Sequence, residues 1–113
     1  MGAQIVKCAR DVDLYVEWSS ITESPTAVGT RAEMAGYLDS DLRHSFGYAE
    51  RTLAVADEYG TSARHLGCTW TRDGLRYRNS GLLPRDRMAE FARRLLDDID
   101  ADPSDLLVPI DYG

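Results

Sequence analysis

Three side chains are the candidates for general acid–base catalysis: Glu17, His44 and His65. Such a group works only when burial or a neighbouring charge tunes its pKa and the fold brings it within reach of a substrate. Glu17 stands beside Trp18 and close to Tyr15, a setting that would raise its pKa if the strand face carrying it were covered. Uncovered, it is an ordinary exposed strand glutamate. His65-x-x-Cys68, with Cys8 and His44 elsewhere, offers four atoms that bind zinc, but only one pair has the close spacing of a zinc site. Asp98-x-Asp100-x-Asp102 starts like a calcium loop and then departs from it: the glycine is missing, and Pro109 stands where a bidentate glutamate belongs. No phosphate-cradling Gly-Lys loop, dinucleotide-binding glycine triplet or nucleophile elbow is present. The expectation is therefore no metal, no cofactor and no assembled catalytic constellation.

Charge is the least uniform property of the chain. Residues 1–63 carry five basic and ten acidic side chains; residues 64–94 carry eight arginines against Asp73, Asp86 and Glu90. Residues 95–113 carry six aspartates and no basic residue, so 97–113 reads as an acidic C-terminal segment. Arg93 and Arg94 lie four residues before Asp97 and Asp98, close enough to pair on one helix. Segregated charge steers association with a charged partner. A sequence pI near 4.8 argues against direct binding to nucleic acid, which needs a basic footprint. Lys7 is the single lysine against twelve arginines, a bias that points to a GC-rich coding genome more than to twelve phosphate ligands.

The elements that must position these groups follow from periodicity and turn chemistry. Gln4 to Arg10 and Leu14 to Ser19 read as strands joined by a tight turn, with Leu14, Val16 and Trp18 on one face and Tyr15, Glu17 and Ser19 on the other. Ser20 to Gly29 reads as a loop. Thr30 and Glu33 have capping-box spacing at the start of a helix bearing Met34, Tyr37 and Leu38. A second helix runs from about Phe46, capped by Ser45, to Tyr59. Asp73-Gly74 predicts a hairpin of 68–72 with 75–79, which sets Trp70 opposite Tyr77 on the core side and turns Thr69, Thr71, Arg76 and Arg78 outward. A third helix opens at Pro84 and carries Met88, Phe91, Ala92, Leu95 and Ile99 on one stripe. Asp102-Pro103 resembles one more helix start, and Leu106 to Ile110 is a helical turn or a short edge strand.

The 113 residues make one domain of an α+β fold. The expected order is ββααββα, an antiparallel sheet of two hairpins with the helices packed on one face. Cys8 and Cys68 fall in strands and read as buried, reduced thiols, although a bridge across the sheet stays open. Without a signal sequence or a long apolar run, the expected compartment is the cytoplasm, with no membrane contact. If the helices cover Val16, Trp18, Trp70 and Tyr77, then Tyr15, Glu17, Thr69, Thr71, Arg76 and Arg78 share an open face rich in interface residue types. The leading expectation is a small acidic protein that docks on another protein as an inhibitor, immunity-type or accessory factor, with homodimerisation as a variant. The alternatives are a ligand-binding domain or enzyme acting on an anionic small molecule, and an acidic mimic of nucleic acid.

Overall fold

A computed structural model describes residues 3–110; Asp111 of the acidic segment and the two N-terminal residues lie outside it. Strand β1 (Ala3–Ala9) pairs antiparallel with β2 (Val12–Ser19), and β2 pairs with β3 (Ser24–Gly29), giving a three-stranded sheet in the order β1-β2-β3. The helices α1 (Arg31–Asp39) and α2 (Tyr48–Tyr59) follow. A second, two-stranded sheet is made of β4 (Gly74–Tyr77) and β5 (Gly81–Pro84). A short 3-10 turn at Arg85–Arg87 then leads into α3 (Met88–Asp97).

The class is α+β with antiparallel pairing, and the element order is close to the expected one. Several details differ. Ser20 to Gly29 is largely a strand, not a loop: β3 accommodates Pro25 because it is an edge strand, with a register shift opposite Glu17 and Trp18. The two hairpins form separate sheets, not one. Helices cover both faces of the larger sheet, not one face. Ile5 and Tyr15 pack against Met34, Leu38, Leu53 and Ala56 of α1 and α2. Val6, Cys8, Val16 and Trp18 pack on the opposite side against Leu83, Phe91 and Leu95. Alternation along β1 and β2 thus feeds two cores, one from each side of the pleat.

The hairpin from Asp73-Gly74 is also absent. Residues 68–73 are irregular, β4 begins at Gly74, and the turn is Arg78–Ser80. Trp70 therefore does not oppose Tyr77; Tyr77 pairs with Gly81 and meets Trp18 and Phe91 edge to face at centroid distances of 6.2 and 6.0 Å. Gly74 serves a close approach: a Cβ there would lie 2.0 Å from the Leu83 carbonyl oxygen. Helix α3 buries Met88, Phe91, Ala92 and Leu95, but it ends before Ile99, which is half exposed. Arg94 pairs not with Asp97 or Asp98 but with Asp105, through bonds of 2.6 and 2.8 Å. That pairing folds the acidic segment back, and Val108 bonds Leu82 along the outer edge of β5. The expected helix at Asp102 is a single turn, in which the Asp102 carboxylate accepts from the Ser104 backbone N–H.

Gln4 on β1 ties two distant segments together. Its Oε1 accepts from the Thr61 hydroxyl at 2.6 Å and the Cys68 N–H at 2.9 Å. The same stretch pairs along the outer edge of β1, Lys7 N–H donating to the Gly60 carbonyl and Ser62 N–H to that of Ile5. The edge of β1 is thereby closed.

Candidate functional site

The six residues expected to share one open face do not share it. Tyr15 is 1% exposed, because α1 and α2 cover the sheet face that was expected to be open. Its hydroxyl donates to Asp57 of α2, and Asp57 also accepts from Arg31 Nε at 3.0 Å. Burial, followed by that bond to a carboxylate, pushes the Tyr15 phenol well above its ordinary range. Thr69 and Thr71 lie in the irregular stretch before β4. Arg76 faces Glu23 at 3.4 Å, and the Arg78 guanidinium lies 5.3 Å from the Tyr77 ring centroid. Glu17 alone of the six lines a broad cleft beside the α1–α2 connection.

That cleft, of about 800 Å³, lies between the β1–β3 sheet and the connection from α1 to α2, lined among others by Glu17, Tyr37, Asp41, Arg43, His44 and Tyr48. It brings together two of the three acid–base candidates, Glu17 and His44, and leaves out His65. Glu17 is held by two hydroxyls: Thr26 donates at 2.7 Å and Tyr37 at 2.9 Å, both to Oε1. Among the described residues nothing donates to its other oxygen, Oε2. Donation to a carboxylate raises the Tyr37 pKa. His44 Nδ1 bonds the Leu38 carbonyl at 2.9 Å, its Nε2 lies 3.7 Å from the Asp41 carboxylate, and its ring lies against Tyr48 with centroids 4.0 Å apart. Arg43 is spent on Asp41, donating from Nε at 3.0 Å and Nη2 at 2.8 Å. Those bonds hold the Asp41 carboxyl well below the usual carboxylate range. The fixed charge available to an occupant is therefore the Glu17 carboxylate.

The connection beside the cleft, residues 40–47, has a tied backbone. His44 N–H donates to the Asp41 carbonyl, Tyr48 N–H to that of Ser45, and Arg51 clamps the Phe46 carbonyl and the Ser45 hydroxyl at 3.0 Å each. Helix α2 starts two residues later than expected, because Gly47 takes a left-handed conformation (φ 80°) as its N-cap. That positive φ would strain any side chain at Gly47, and a Cβ there would stand 2.8 Å from the Arg51 guanidinium. From this fixed loop Leu42 and Phe46 project fully into solvent, 97% and 102% exposed, and Ile21 at the cleft's edge is 83% exposed. Their exposure could not be read from sequence, since apolar residues in a short helix-to-helix connection usually turn inward.

Elsewhere, the Arg10 and Arg85 guanidiniums lie 4.7 and 4.6 Å from the Trp70 ring centroid. Arg85 also donates to the Gly60 carbonyl, and its buried Nε has no partner among the described residues. Cys8 and Cys68 are free, buried thiols, and burial pushes Cys8 up to about 12. Among the described residues no three His, Cys, Asp or Glu side chains converge as metal ligands, and no helix is long and apolar enough to cross a membrane. Comparison with protein-family models, with curated proteins and with solved structures finds no match for this chain.

Proposed function

We propose that this protein is a docking module that binds another protein through the α1–α2 loop and the adjoining cleft, acting as an inhibitor, immunity-type or accessory factor. The observation that carries the reading is the complete exposure of Leu42 and Phe46 on a loop whose backbone is tied at both ends. Large apolar side chains held outward on a rigid support lose little entropy on binding. Burying each in a partner's pocket contributes roughly 1.5–3 kcal/mol, the scale of an interface hot spot. Two reduced, buried thiols suit action in a reducing compartment such as the cytoplasm.

A second reading, a ligand-binding domain or enzyme, draws on Glu17 and His44 sharing one cleft. For an anionic ligand it lacks a free lysine or arginine there among the described residues, because Arg43 is bound to Asp41. Mimicry of nucleic acid has less support still: Asp105 is engaged by Arg94 and Asp102 by Ser104.

The test is capture from nuclease-treated lysate, with the partner identified and its affinity remeasured from purified components. Leu42→Ser/Phe46→Ser is expected to weaken binding at least about tenfold. A partner held equally by wild type and this variant, but lost with Arg76→Glu/Arg78→Glu, would move the docking face to the β4–β5 hairpin.

A further inference from the structure

We propose, resting on the docking reading above, that the partner is basic and inserts an arginine side chain into the cleft, its guanidinium against Glu17. Four observations converge on that occupant. Glu17 is oriented by the Thr26 and Tyr37 hydroxyls on Oε1, while Oε2 is left without a donor among the described residues. A carboxylate held by two neutral donors has no counter-ion of its own in those bonds and offers an acceptor for a charge-assisted bond. Tyr37 and Tyr48 line the same cleft, and aromatic neighbours favour a guanidinium. Arg43, the cation of the lining, already makes two bonds to Asp41, so it neither neutralises Glu17 nor recruits an anion. The residues that build the cleft come from 1–63, where acidic side chains outnumber basic ones two to one, and the whole chain has a formal charge of −6. Such a field favours approach of a basic surface over an acidic one. Ile21 at the cleft's edge and Leu42 between Asp41 and Arg43 would then meet the aliphatic stem and its apolar neighbours.

The variant that isolates the charge is Glu17→Gln. Its amide oxygen still accepts from Tyr37 and Thr26, so the local structure is kept while the carboxylate is removed. The probes are N-acetyl-L-argininamide and its uncharged isostere N-acetyl-L-citrullinamide, titrated while following the His44 and Tyr48 ring resonances by NMR. The expected result is a saturable shift with the arginine probe, none with the citrulline probe, and at least about tenfold weaker binding in Glu17→Gln. Equal responses to the two probes, or unchanged binding in Glu17→Gln, overturn the assignment. The captured partner supplies the separate arm. If Leu42→Ser/Phe46→Ser releases it and Glu17→Gln retains it at full affinity, docking stands and the arginine assignment falls. If no partner survives purification with any form, docking falls, and the probe titration alone decides what Glu17 binds.

Discussion

The two faces of the β1–β3 sheet are built on different principles. On one, Trp18, Tyr77 and Phe91 meet edge to face over Val6, Val16 and Leu83, a core of rings and aliphatics. On the other, Tyr15 reaches the same depth with a hydroxyl attached, and the fold must supply Asp57, Arg31 and the more distant Lys7 around it. The first face stabilises through shape and area. The second is fastened by directional bonds, and at its margin those bonds hold Glu17, His44 and the α1–α2 loop in fixed positions. The candidate site lies where polar anchoring is added to apolar packing.

The sharpest way to test that contrast is to damage each face in turn. Phe91→Ala should cost about 3–5 kcal/mol in a denaturant melt, because it leaves a cavity among rings that cannot collapse inward. Tyr15→Phe keeps the ring and deletes one donor to Asp57. It should cost about 1–2 kcal/mol, since Arg31 still holds that carboxylate. Losses of equal size in the two melts would erase the distinction.

A pH series reads both faces, and Cys8→Ala isolates the apolar one. Folding raises the Cys8 pKa from 9.0 to about 12, so the folded state keeps the thiol neutral. The stability gained is complete below pH 9 and falls as pH rises from 9 toward 12, where only the unfolded chain ionises. Tyr15, also raised, adds to the same slope above its ordinary value of 10.0. Thermal melts between pH 8 and about 11 should decline, and Cys8→Ala should flatten part of that decline. The same burial predicts that neither thiol reacts with a disulfide reagent until the protein unfolds. The smallest effect on stability belongs to Leu42→Ser/Phe46→Ser, within about 0.5 kcal/mol, because these side chains touch solvent and not the core. A large loss there would mean the loop is structural, and docking through it would be refuted.

How much of this was legible from sequence differs by element. The Thr30–Glu33 capping box is present with both of its bonds, since a local motif needs only local residues. The stripe Met88-Phe91-Ala92-Leu95 was plain for the same reason. The Asp73-Gly74 hairpin misled because a glycine required for close backbone approach looks identical to one required for positive φ. The actual turn uses Arg78 at φ 49°, a residue without a turn signature. Pro25 and Gly29 hid β3, because an edge strand tolerates what a central strand does not. At the site, Glu17 was visible as a candidate, but its company was not. Tyr37 bonds it, and Asp41 and His44 share its cleft, only through the placement of α1 over the sheet, a tertiary choice that no spacing encodes. The covered face was assigned wrongly for Tyr15 because a tyrosine on an alternating strand carries no mark of which side will be roofed.

Gln4 has a consequence for synthesis. Its two bonds join the fourth residue of the chain to positions 61 and 68. A ribosome makes the first strand early, yet that strand cannot close its outer edge until the segment through Cys68 has emerged. Throughout that interval the nascent β1 presents Ile5 and Lys7 backbone groups to whatever strand is near. At about 5–20 residues per second the exposure lasts a few seconds, long enough for a chaperone or a neighbouring nascent chain to reach that edge first.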